Sequence, residues 1–441
     1  MSNQKVSIIT LGCSKNTVES ESVAGLFLKD GFELTNDILK SDIIVIHTCS
    51  FIQDAQLESE NYIKYTGEIK EKKPNLKIFV SGCLPQLLKN ELLKKYPFID
   101  GCVGTGNFGE IVKLIKKDVF FKNTKNAGGM NDSRKRVLSS SLPTTYIKIA
   151  EGCNHKCSFC IIPKLRGKYQ SRSIHSIVDE AKALADCGIK EINIIAQDTT
   201  SYGLDIYGQL SLHKLMDKLS QINDLKWIRL LYAYPSSINK QLLDVISQRG
   251  NICKYIDVPV QHISKQVLKN MARPLNTRQI IENIKKQYPD IILRTSIITG
   301  FPQETKADFK ELIEFVKENY FEHIGIFCYS DQKNAKSFNL KDKINTELIE
   351  KRKQIIANAQ FQNVLKNNKN KIGNSFEVLI ENIAGKKAYG RTSFQAPEID
   401  NNVVVNLKSN NIKAGEFIKI IVSDVKDYDI MGRLETGKKD G

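Results

Sequence analysis

Long apolar runs are absent from this sequence of 441 residues. Apolar runs such as residues 43–46 fall far below the ~18 residues that a membrane-spanning helix needs. The first ten residues also lack the basic segment followed by an apolar segment that marks a secretory signal. These absences argue against a membrane or secreted protein, and we expect a cytoplasmic one.

Low-complexity tracts are missing as well, and acidic residues are outnumbered. The composition, 41% apolar and 26% charged, is ordinary for a globular protein, which excludes a disordered or fibrous chain. Lys and Arg number 65 against 49 Asp and Glu, a net charge of +16. This excess favours an anionic partner such as RNA or the ribosome, although unselective surface lysines are the commoner cause of such an excess.

The first part of the chain alternates short β-branched runs with helical patterns. Buried parallel strands are predicted at residues 6–10, 43–46 and 78–80, and helices at residues 18–30, 54–72 and 85–95. We therefore predict a parallel α/β domain of Rossmann-like type over residues 5–121. A segment rich in Lys, Asn, Gly and Ser follows, which predicts a linker at residues 122–145.

The central part, residues 146–371, continues the rhythm through six strand–helix units. Its strands are predicted at residues 146–149, 192–196, 227–232, 255–260, 291–298 and 324–329. Such a series forms an open doubly wound sheet or a full or partial barrel. In both architectures the chemistry gathers at the carboxyl ends of the strands.

The last part, residues 372–437, changes to short β segments at residues 376–380, 388–392, 402–406 and 417–422. This pattern predicts a small antiparallel barrel of OB-like type, so the predicted fold class is α/β with a small β-barrel. Between Ile372 and Glu435 there are eight Lys or Arg and nine Asp or Glu. A module that grips RNA phosphates should carry a basic stripe, so this near-neutral barrel favours a protein partner.

Ten cysteines are present, and in a reducing compartment they are not expected to form disulfides. Cys153, Cys157 and Cys160 lie within eight residues and have no fourth local cysteine. A structural zinc needs four ligands, whereas a 4Fe-4S cluster held by three cysteines leaves one iron open. Zinc with His155 as its fourth ligand, or three buried thiols, stays an alternative.

A second set comprises Cys13, Cys49 and Cys83, spaced 36 and 34 residues apart, each just past a predicted strand. If those strands are parallel neighbours, the cysteines converge on one sheet edge, where open α/β folds bind ligands. Gly12 and Gly82 would let the backbone approach a bulky group closely. From these residues alone, a cluster site and three buried thiols are equally favoured.

The Cys-x3-Cys-x2-Cys loop, with the aromatic Phe159 before its last cysteine, resembles the signature of radical S-adenosylmethionine enzymes. The resemblance implies a partial barrel of six strand–helix units and a 4Fe-4S cluster whose open iron binds S-adenosylmethionine and cleaves it to a radical. Contacts to S-adenosylmethionine are implied for four residues at or past strand ends, each with an ordinary loop or buried-network role as an equally favoured alternative: Gln197, Asp198, Gln261 and Gly300. Arg166 would counter the charge of this cluster or only shape the turn.

The stretches Leu11-Gly-Cys-Ser-Lys-Asn16, Thr48-Cys-Ser-Phe-Ile52 and Ser81-Gly-Cys-Leu84 resemble the amino-terminal motifs of the methylthiotransferases. The carboxy-terminal barrel resembles the TRAM domain of that family, so the likeness covers nearly the whole chain. It implies an auxiliary 4Fe-4S cluster on Cys13, Cys49 and Cys83, hence two clusters in all.

Gly12-Cys-Ser-Lys-Asn16, Tyr255-Ile-Asp-Val-Pro-Val-Gln-His262 and Ala396-Pro-Glu-Ile-Asp400 resemble the ribosomal branch of the family. That branch implies methylthiolation of the β-carbon of an aspartate in the small-subunit protein at the decoding centre, free or within the 30S particle. It also implies an electron donor such as flavodoxin or ferredoxin. A tRNA adenosine methylthiotransferase and a non-enzymatic iron–sulfur RNA-binding protein are the alternatives.

Two departures from the family pattern stand out: His47 replaces the usual Asn, and residues 329–335 lack the usual Glu-Gly-Thr after Tyr-Ser. The second lies past the sixth barrel strand, where it would alter substrate contacts. No acid–base residue is predicted, because His155, His262 and His323 are expected to be hydrogen-bonded scaffold. The cysteines outside the two sets are expected in the core: Cys102, Cys187, Cys253 and Cys328.

Overall fold

The protein is described here by a computed structural model that covers residues 4–106, 108–117, 121–122, 136–140, 143–407 and 411–435. Most of the predicted linker at residues 122–145 lies outside these ranges. In the described part, no helix has both the length and the apolar character needed to cross a bilayer.

The amino-terminal region is a parallel α/β sheet. Its elements are β1 (Lys5–Thr10), α1 (Ser14–Lys29), β2 (Glu33–Leu34), β3 (Ile43–Thr48), α2 (Gln53–Lys72), β4 (Lys77–Gly82), α3 (Cys83–Leu88), α4 (Asn90–Lys95), β5 (Gly101–Val103), α5 (Glu110–Lys117) and β6 (Phe121–Lys122). The strand order is β2-β1-β3-β4-β5-β6, and every pairing is parallel. Every residue of β3 is buried, as expected for a β-branched strand covered by helices on both faces.

The central region contains six parallel strands and the helices between them. Its elements are β7 (Thr144–Lys148), β8 (Ala150–Glu151), α6 (Ile162–Arg166), β9 (Gln170–Ser171), α7 (Ile174–Asp186), β10 (Glu191–Ile195), α8 (Leu204–Tyr207), α9 (Leu212–Ser220), β11 (Trp227–Leu230), α10 (Lys240–Gln248), β12 (Ile252–Asp257), α11 (Lys265–Asn270), α12 (Thr277–Gln287), β13 (Ile292–Thr299), α13 (Lys306–Lys317), β14 (His323–Cys328) and α14 (Thr346–Lys369). The sheet order is β14-β13-β12-β11-β10-β7. This is the strand order of the expected partial barrel, with β7 and β14 at its two edges.

The two faces of this central sheet have different partners. One face packs on the helices, with residues such as Ile192, Ile228 and Ile256 in the largest apolar cluster of the described chain. The opposite face contributes Ile195 and Tyr255 to a cluster that includes residues of both other regions. The amino-terminal and carboxy-terminal regions therefore meet the same face of the central sheet.

The carboxy-terminal region is a closed five-stranded barrel in the order β15-β16-β17-β19-β18. Its strands are β15 (Ser375–Ala384), β16 (Lys387–Thr392), β17 (Val403–Asn406), β18 (Phe417–Lys426) and β19 (Asp429–Leu434). It docks on the central sheet through Glu191, whose carboxylate lies 3.0 Å from Nη2 of Arg229 and 2.6 Å from Nη2 of Arg391. All three side chains are buried, so the barrel docks through ion pairs that are shielded from solvent.

The predicted fold class is confirmed, with local corrections. The helix predicted at residues 85–95 is two helices, because Lys89 between them adopts a left-handed φ of 53°. The strand β19 was not predicted, although it closes the barrel. Cys102 and Cys253 are buried as expected, but the core prediction is wrong for Cys187, which is exposed because it caps the carboxyl end of α7.

Candidate functional site

The cysteines of the amino-terminal region lie at the carboxyl ends of three neighbouring strands. Cys13 follows β1, Cys49 directly follows β3, and Cys83 begins α3 after β4. The strand order places β1 beside β3 at the topological switch point, where open α/β sheets bind ligands. The structure thus brings the three predicted residues to one edge of one sheet.

Two glycines make this close approach possible. At Gly12, which has a φ of 94°, a Cβ atom would lie 2.6 Å from Cβ of Cys49 and 3.0 Å from its Sγ. At Gly82, with a φ of 97°, a Cβ atom would lie 2.6 Å from the carbonyl oxygen of Thr48. Other residues rarely adopt this backbone conformation, so substitution at either position would separate the strand ends.

The three thiols influence one another electrostatically. Burial raises the pKa of Cys49 to about 12, and the charges of Cys83 and Cys13 add to the increase. Burial also raises the pKa of Cys83, against the opposing charge of Arg166. Because the thiolate is the form that binds metals, ligand binding here has to release protons.

Arg166 follows one cysteine set in sequence and contacts the other set. It ends α6, six residues after Cys160, and its buried guanidinium donates from Nη2 to Sγ of Cys83 at 3.6 Å. The same nitrogen donates to Oδ1 of Asn16 at 2.9 Å. A guanidinium beside a cysteine favours the thiolate. Arg166 therefore follows one set in sequence and places its positive charge beside the other set.

Carboxylates and a lysine complete a buried ionic network around Arg166. Its Nη1 donates to Glu19 at 2.5 Å, while Lys148 donates to Glu19 at 2.6 Å and to Glu151 at 2.7 Å. Burial alone would raise the pKa of Glu19, but the charges of Arg166 and Lys148 outweigh it and hold that pKa well below its usual range. The network joins α1 of the first region to β7 and β8 of the second.

His47, the departure noted in the sequence, has a structural explanation. Its Nε2 lies 2.9 Å from Glu19, and its Nδ1 lies 2.9 Å from Oγ of Ser81. The ring also stacks on Phe108, with ring centroids 4.1 Å apart. Burial lowers the pKa of His47, against the hydrogen bond that Glu19 accepts from its ring. This histidine thus extends the buried network to β4.

The second cysteine set lies in the loop between β8 and α6. The backbone N–H of Cys153 donates to the carbonyl of Gly167 at 3.2 Å, and that of Cys160 donates to the carbonyl of Cys157 at 3.1 Å. The backbone N–H of Ile162 donates to Sγ of Cys160 at 3.4 Å. Burial raises the pKa of Cys153 to about 11 and that of Cys160 to about 12.

An arginine and two stacked rings lie beside this loop. Nη1 of Arg273 donates to Sγ of Cys157 at 3.8 Å, and its guanidinium carbon lies 4.2 Å from the ring centroid of Tyr234. The ring of His155 stacks on Tyr234, with centroids 3.6 Å apart, and its Nε2 lies 2.7 Å from Asp198. His155 is hydrogen-bonded scaffold, as expected, and its Nε2 is already engaged by Asp198.

Asp198 is predicted to contact S-adenosylmethionine, and its carboxylate also accepts hydrogen bonds from protein groups. Oδ1 accepts from the backbone N–H of Thr200 at 2.9 Å and from its hydroxyl at 2.6 Å. Oδ2 accepts from Ser201 at 2.5 Å in addition to its contact with His155. These contacts fit a residue that orients His155.

The other three predicted contacts lie at strand ends in different environments. Gln197 donates to Glu151 at 2.7 Å, and its buried Oε1 has no hydrogen-bond partner in the described chain. Gln261 adopts a left-handed φ of 69°. Gly300 has a φ of 80°, and a Cβ atom there would lie 2.4 Å from Ile349 of α14. For all four residues, Asp198 included, the contact with S-adenosylmethionine stays a prediction.

The donor chemistry of both cysteine sets fits iron–sulfur clusters. Each set offers three sulfur ligands, and each has an arginine nitrogen within 4 Å of one sulfur to offset negative charge. In the described ranges, no group of three or more His, Cys, Asp or Glu converges as the ligands of a single metal ion. Each cysteine of a 4Fe-4S cluster binds a different iron, so its sulfur atoms need not meet at one point.

Sequence reasoning missed several residues of this site. Arg273 and Tyr234 lie on other strand–helix units, far from the cysteine loop in sequence, so no local motif indicated them. Lys15 and Asn16 belong to the motif around Cys13, but nothing in the sequence indicates what they contact. For Arg166, charge compensation was one of two alternatives, and the structure directs that charge to the other cysteine set.

Models of three protein families match successive parts of the chain. Residues 5–104 match the uncharacterized protein family UPF0004, residues 147–316 match the radical SAM superfamily, and residues 372–434 match the TRAM domain. The matches follow the order of the three regions of the structure.

Several proteins named ribosomal protein uS12 methylthiotransferase RimO are similar along nearly their whole length. The protein of Endomicrobium trichonymphae is 51% identical over 432 residues, covering 97% of this chain and 98% of that protein. The proteins of Caldanaerobacter subterraneus subsp. tengcongensis and Clostridioides difficile are 43% and 41% identical, each covering 97% of this chain and 99% and 98% of their own lengths.

Among solved structures, the chain is similar to the radical S-adenosylmethionine methyltransferase TsrM from Kitasatospora setae, solved with cobalamin and a 4Fe-4S cluster. The TM-score is 0.55 at 13% sequence identity, covering 76% of this chain and 77% of that one. At this identity the likeness shows a shared fold.

Proposed function

We propose that this chain, which belongs to the RimO family of ribosomal protein uS12 methylthiotransferases, attaches a methylthio group to the β-carbon of an aspartate of uS12. It is a radical S-adenosylmethionine enzyme. One observation carries the proposal: Arg166, at the end of the helix that follows the Cys153–Cys160 loop, contacts Cys83 of the other set. A side chain that follows one set of sulfur ligands in sequence and contacts the other set suits a reaction that needs both.

In this proposal Cys153, Cys157 and Cys160 hold the cluster that binds S-adenosylmethionine, and Cys13, Cys49 and Cys83 hold a second cluster. When bound, the first supplies a radical able to abstract hydrogen from an unactivated C–H bond, and the second supplies the sulfur. The protein binds, orients and shields these groups.

Charge compensation and burial are the chain's own contributions. Arg166 and Arg273 each donate to one cysteine sulfur, so both sets carry a positive group at hydrogen-bond distance. Buried ionic partners hold Arg166, and the carbonyl of Pro259 accepts from Arg273. Fixed cations in a site with little water offset negative charge more effectively than mobile ions do.

The loop at residues 329–335, whose sequence departs from the family pattern, lies beside both candidate sites. Oγ of Ser330 accepts from the backbone N–H of Gln53, which begins α2 after Cys49, at 3.4 Å. The carbonyl of Asn334 accepts from Lys164 of α6 at 2.6 Å. This position supports a role in substrate contact. The near-neutral carboxy-terminal barrel supports a protein substrate over tRNA.

Substrate choice tests the proposal. The full-length protein, reconstituted anaerobically and reduced by flavodoxin or ferredoxin, is incubated with S-adenosylmethionine and one of three substrates: free uS12, small ribosomal subunits or tRNA. Mass spectrometry should find a methylthio group on uS12, free or within the subunit. A methylthio group on tRNA adenosine alone would overturn the proposal, and the variant with Ala at Cys153, Cys157 and Cys160 serves as the inactive control.

A further inference from the structure

Lys15 is a buried cation that has no carboxylate partner among the described residues. The residue lies in the first turn of α1, two residues after Cys13, and is only 9% exposed. Its Nζ lies 3.4 Å from the ring centroid of Tyr232. In the part of the chain that the structure describes, no acidic side chain lies within ion-pair distance of it. The buried Lys148 and Arg166, by contrast, each contact two carboxylates.

An ammonium group in this position is costly unless an anion joins it. Buried lysines are almost always paired, because removal of the charge from water is unfavourable. The face of an aromatic ring attracts a cation but replaces only part of the lost hydration. An anionic ligand would therefore stabilise the Lys15 ammonium group, and no acidic side chain in the described part of the chain takes that place.

The neighbours of Lys15 relate it to both cysteine sets. Tyr232 follows β11 at the carboxyl end of the central sheet and has a left-handed φ of 60°, uncommon for a bulky residue. Its backbone N–H donates to Asp257 at 3.1 Å. Two residues later, Tyr234 contacts Arg273, which reaches Cys157. Lys15 thus follows Cys13 in sequence and contacts Tyr232. Tyr234, two residues further on, contacts the arginine that donates to Cys157.

We infer that Lys15 binds the side-chain carboxylate of the uS12 aspartate that is modified. The inference rests on the proposed function and deepens it, because it names the group that selects an acidic residue. The carboxyl carbon is bonded directly to the β-carbon. A lysine that holds the carboxylate therefore fixes the position of the C–H bond that reacts.

The test is a double-mutant cycle on equilibrium affinity. The reconstituted full-length enzyme and its Lys15→Met variant are each titrated with uS12 and with uS12 in which the target aspartate is Asn. A charge-assisted contact predicts that either single change weakens binding by about tenfold. Both changes together should weaken binding no further than one, because the variants remove the same contact.

Two further variants separate charge from folding. Lys15→Arg keeps the cation and should bind the aspartate form within about threefold of the wild type, since it can still pair with a carboxylate. Lys226→Met is the matched control, because Lys226 also lies over a ring, that of Phe417 at 4.4 Å, but is paired with Glu377 at 2.7 Å. The affinity of this control for uS12 should equal that of the wild type.

Three outcomes would overturn the inference. If the losses from Lys15→Met and from the Asn substrate multiply, Lys15 does not contact that carboxylate. If Lys15→Met weakens binding of S-adenosylmethionine and leaves uS12 affinity intact, its partner is the cofactor. If the wild type neither binds nor methylthiolates uS12, the proposed function fails as well, and this result is distinct from the other two.

Discussion

The guanidinium of Arg166 donates a hydrogen bond to the sulfur of Cys83, 83 residues earlier in the chain, at 3.6 Å. The contact crosses from the central region to the amino-terminal region, so Cys83 and the helix that follows the other cysteine set share one buried interface. Arg166 ends the helix that follows one cysteine set and contacts a cysteine of the other set.

Loss of Arg166 should destabilise this interface. Arg166→Gln leaves Glu19 and Glu151 buried with one cation fewer, which should lower the free energy of unfolding by about 3–5 kcal/mol. Denaturant unfolding of the metal-free protein measures the change. Arg249→Gln is the control. Nη2 of Arg249 lies 2.5 Å from Oδ1 of Asp217, but the arginine side chain is half exposed. This substitution should therefore lower the free energy of unfolding by less than about 1 kcal/mol. If both variants lost the same free energy of unfolding, burial of the Arg166 network would contribute nothing to stability.

Iron content should separate the two sets. The reconstituted wild type should hold roughly eight irons, and the variant with Ala at Cys153, Cys157 and Cys160 roughly four. Iron analysis and absorption spectroscopy on matched samples measure this. A wild type with four irons, or one that retains tightly bound zinc, would contradict the two-cluster proposal.

The sets should also differ in role. With Ala at Cys13, Cys49 and Cys83, the reduced enzyme should still cleave S-adenosylmethionine to 5′-deoxyadenosine, because the loop with the other three cysteines is intact. It should transfer no methylthio group. Chromatography of the nucleoside products and mass spectrometry of uS12 measure the two steps, and normal methylthio product from this variant would refute the assignment of sulfur transfer.

Acid should weaken the docking of the carboxy-terminal barrel. Burial would raise the pKa of Glu191, but the charges of Arg391 and Arg229 lower it from 4.5 to about 2. The ionised form is therefore favoured in the folded protein, and its contribution to stability is present above pH 4.5 and decreases as the pH falls toward 2. By linkage that contribution is about 3 kcal/mol at neutral pH.

Unfolding experiments at several pH values test this linkage. Glu191→Gln should lower the free energy of unfolding at pH 7, and the difference from the wild type should shrink below about pH 4.5. A difference that stays constant between pH 7 and pH 3 would contradict the assignment of that pKa to Glu191.

Parts of this structure follow from the sequence because they rest on local pattern. Cys13, Cys49 and Cys83 each follow a β-branched run, and parallel strands bring their carboxyl ends to one edge. The short strands β2, β5 and β6 were not predicted, because two or three residues carry too little periodicity. The strand β19 was missed because only Ile430 and Gly432 of its six residues are buried.

Contacts between regions could not be predicted from the sequence. The hydrogen bond of Arg166 to Cys83 and the contact of Lys15 with Tyr232 depend on how separate regions pack, and local pattern carries no information about that packing. The role of Asp198 was also hidden, because a strand-end aspartate suits a ligand site and a turn equally well. The structure shows its hydrogen bonds to Thr200, Ser201 and His155, and its contact with S-adenosylmethionine stays a prediction.

The central claim is that two cysteine sets in one chain act together on one aspartate of uS12. The variant with Ala at Cys13, Cys49 and Cys83 is mixed with the variant with Ala at Cys153, Cys157 and Cys160, and tandem mass spectrometry locates any methylthio group on uS12. The wild type should modify a single aspartate, and the mixture should modify none, because each chain lacks one set. Product from the mixture, or wild-type modification only of tRNA, would contradict the claim.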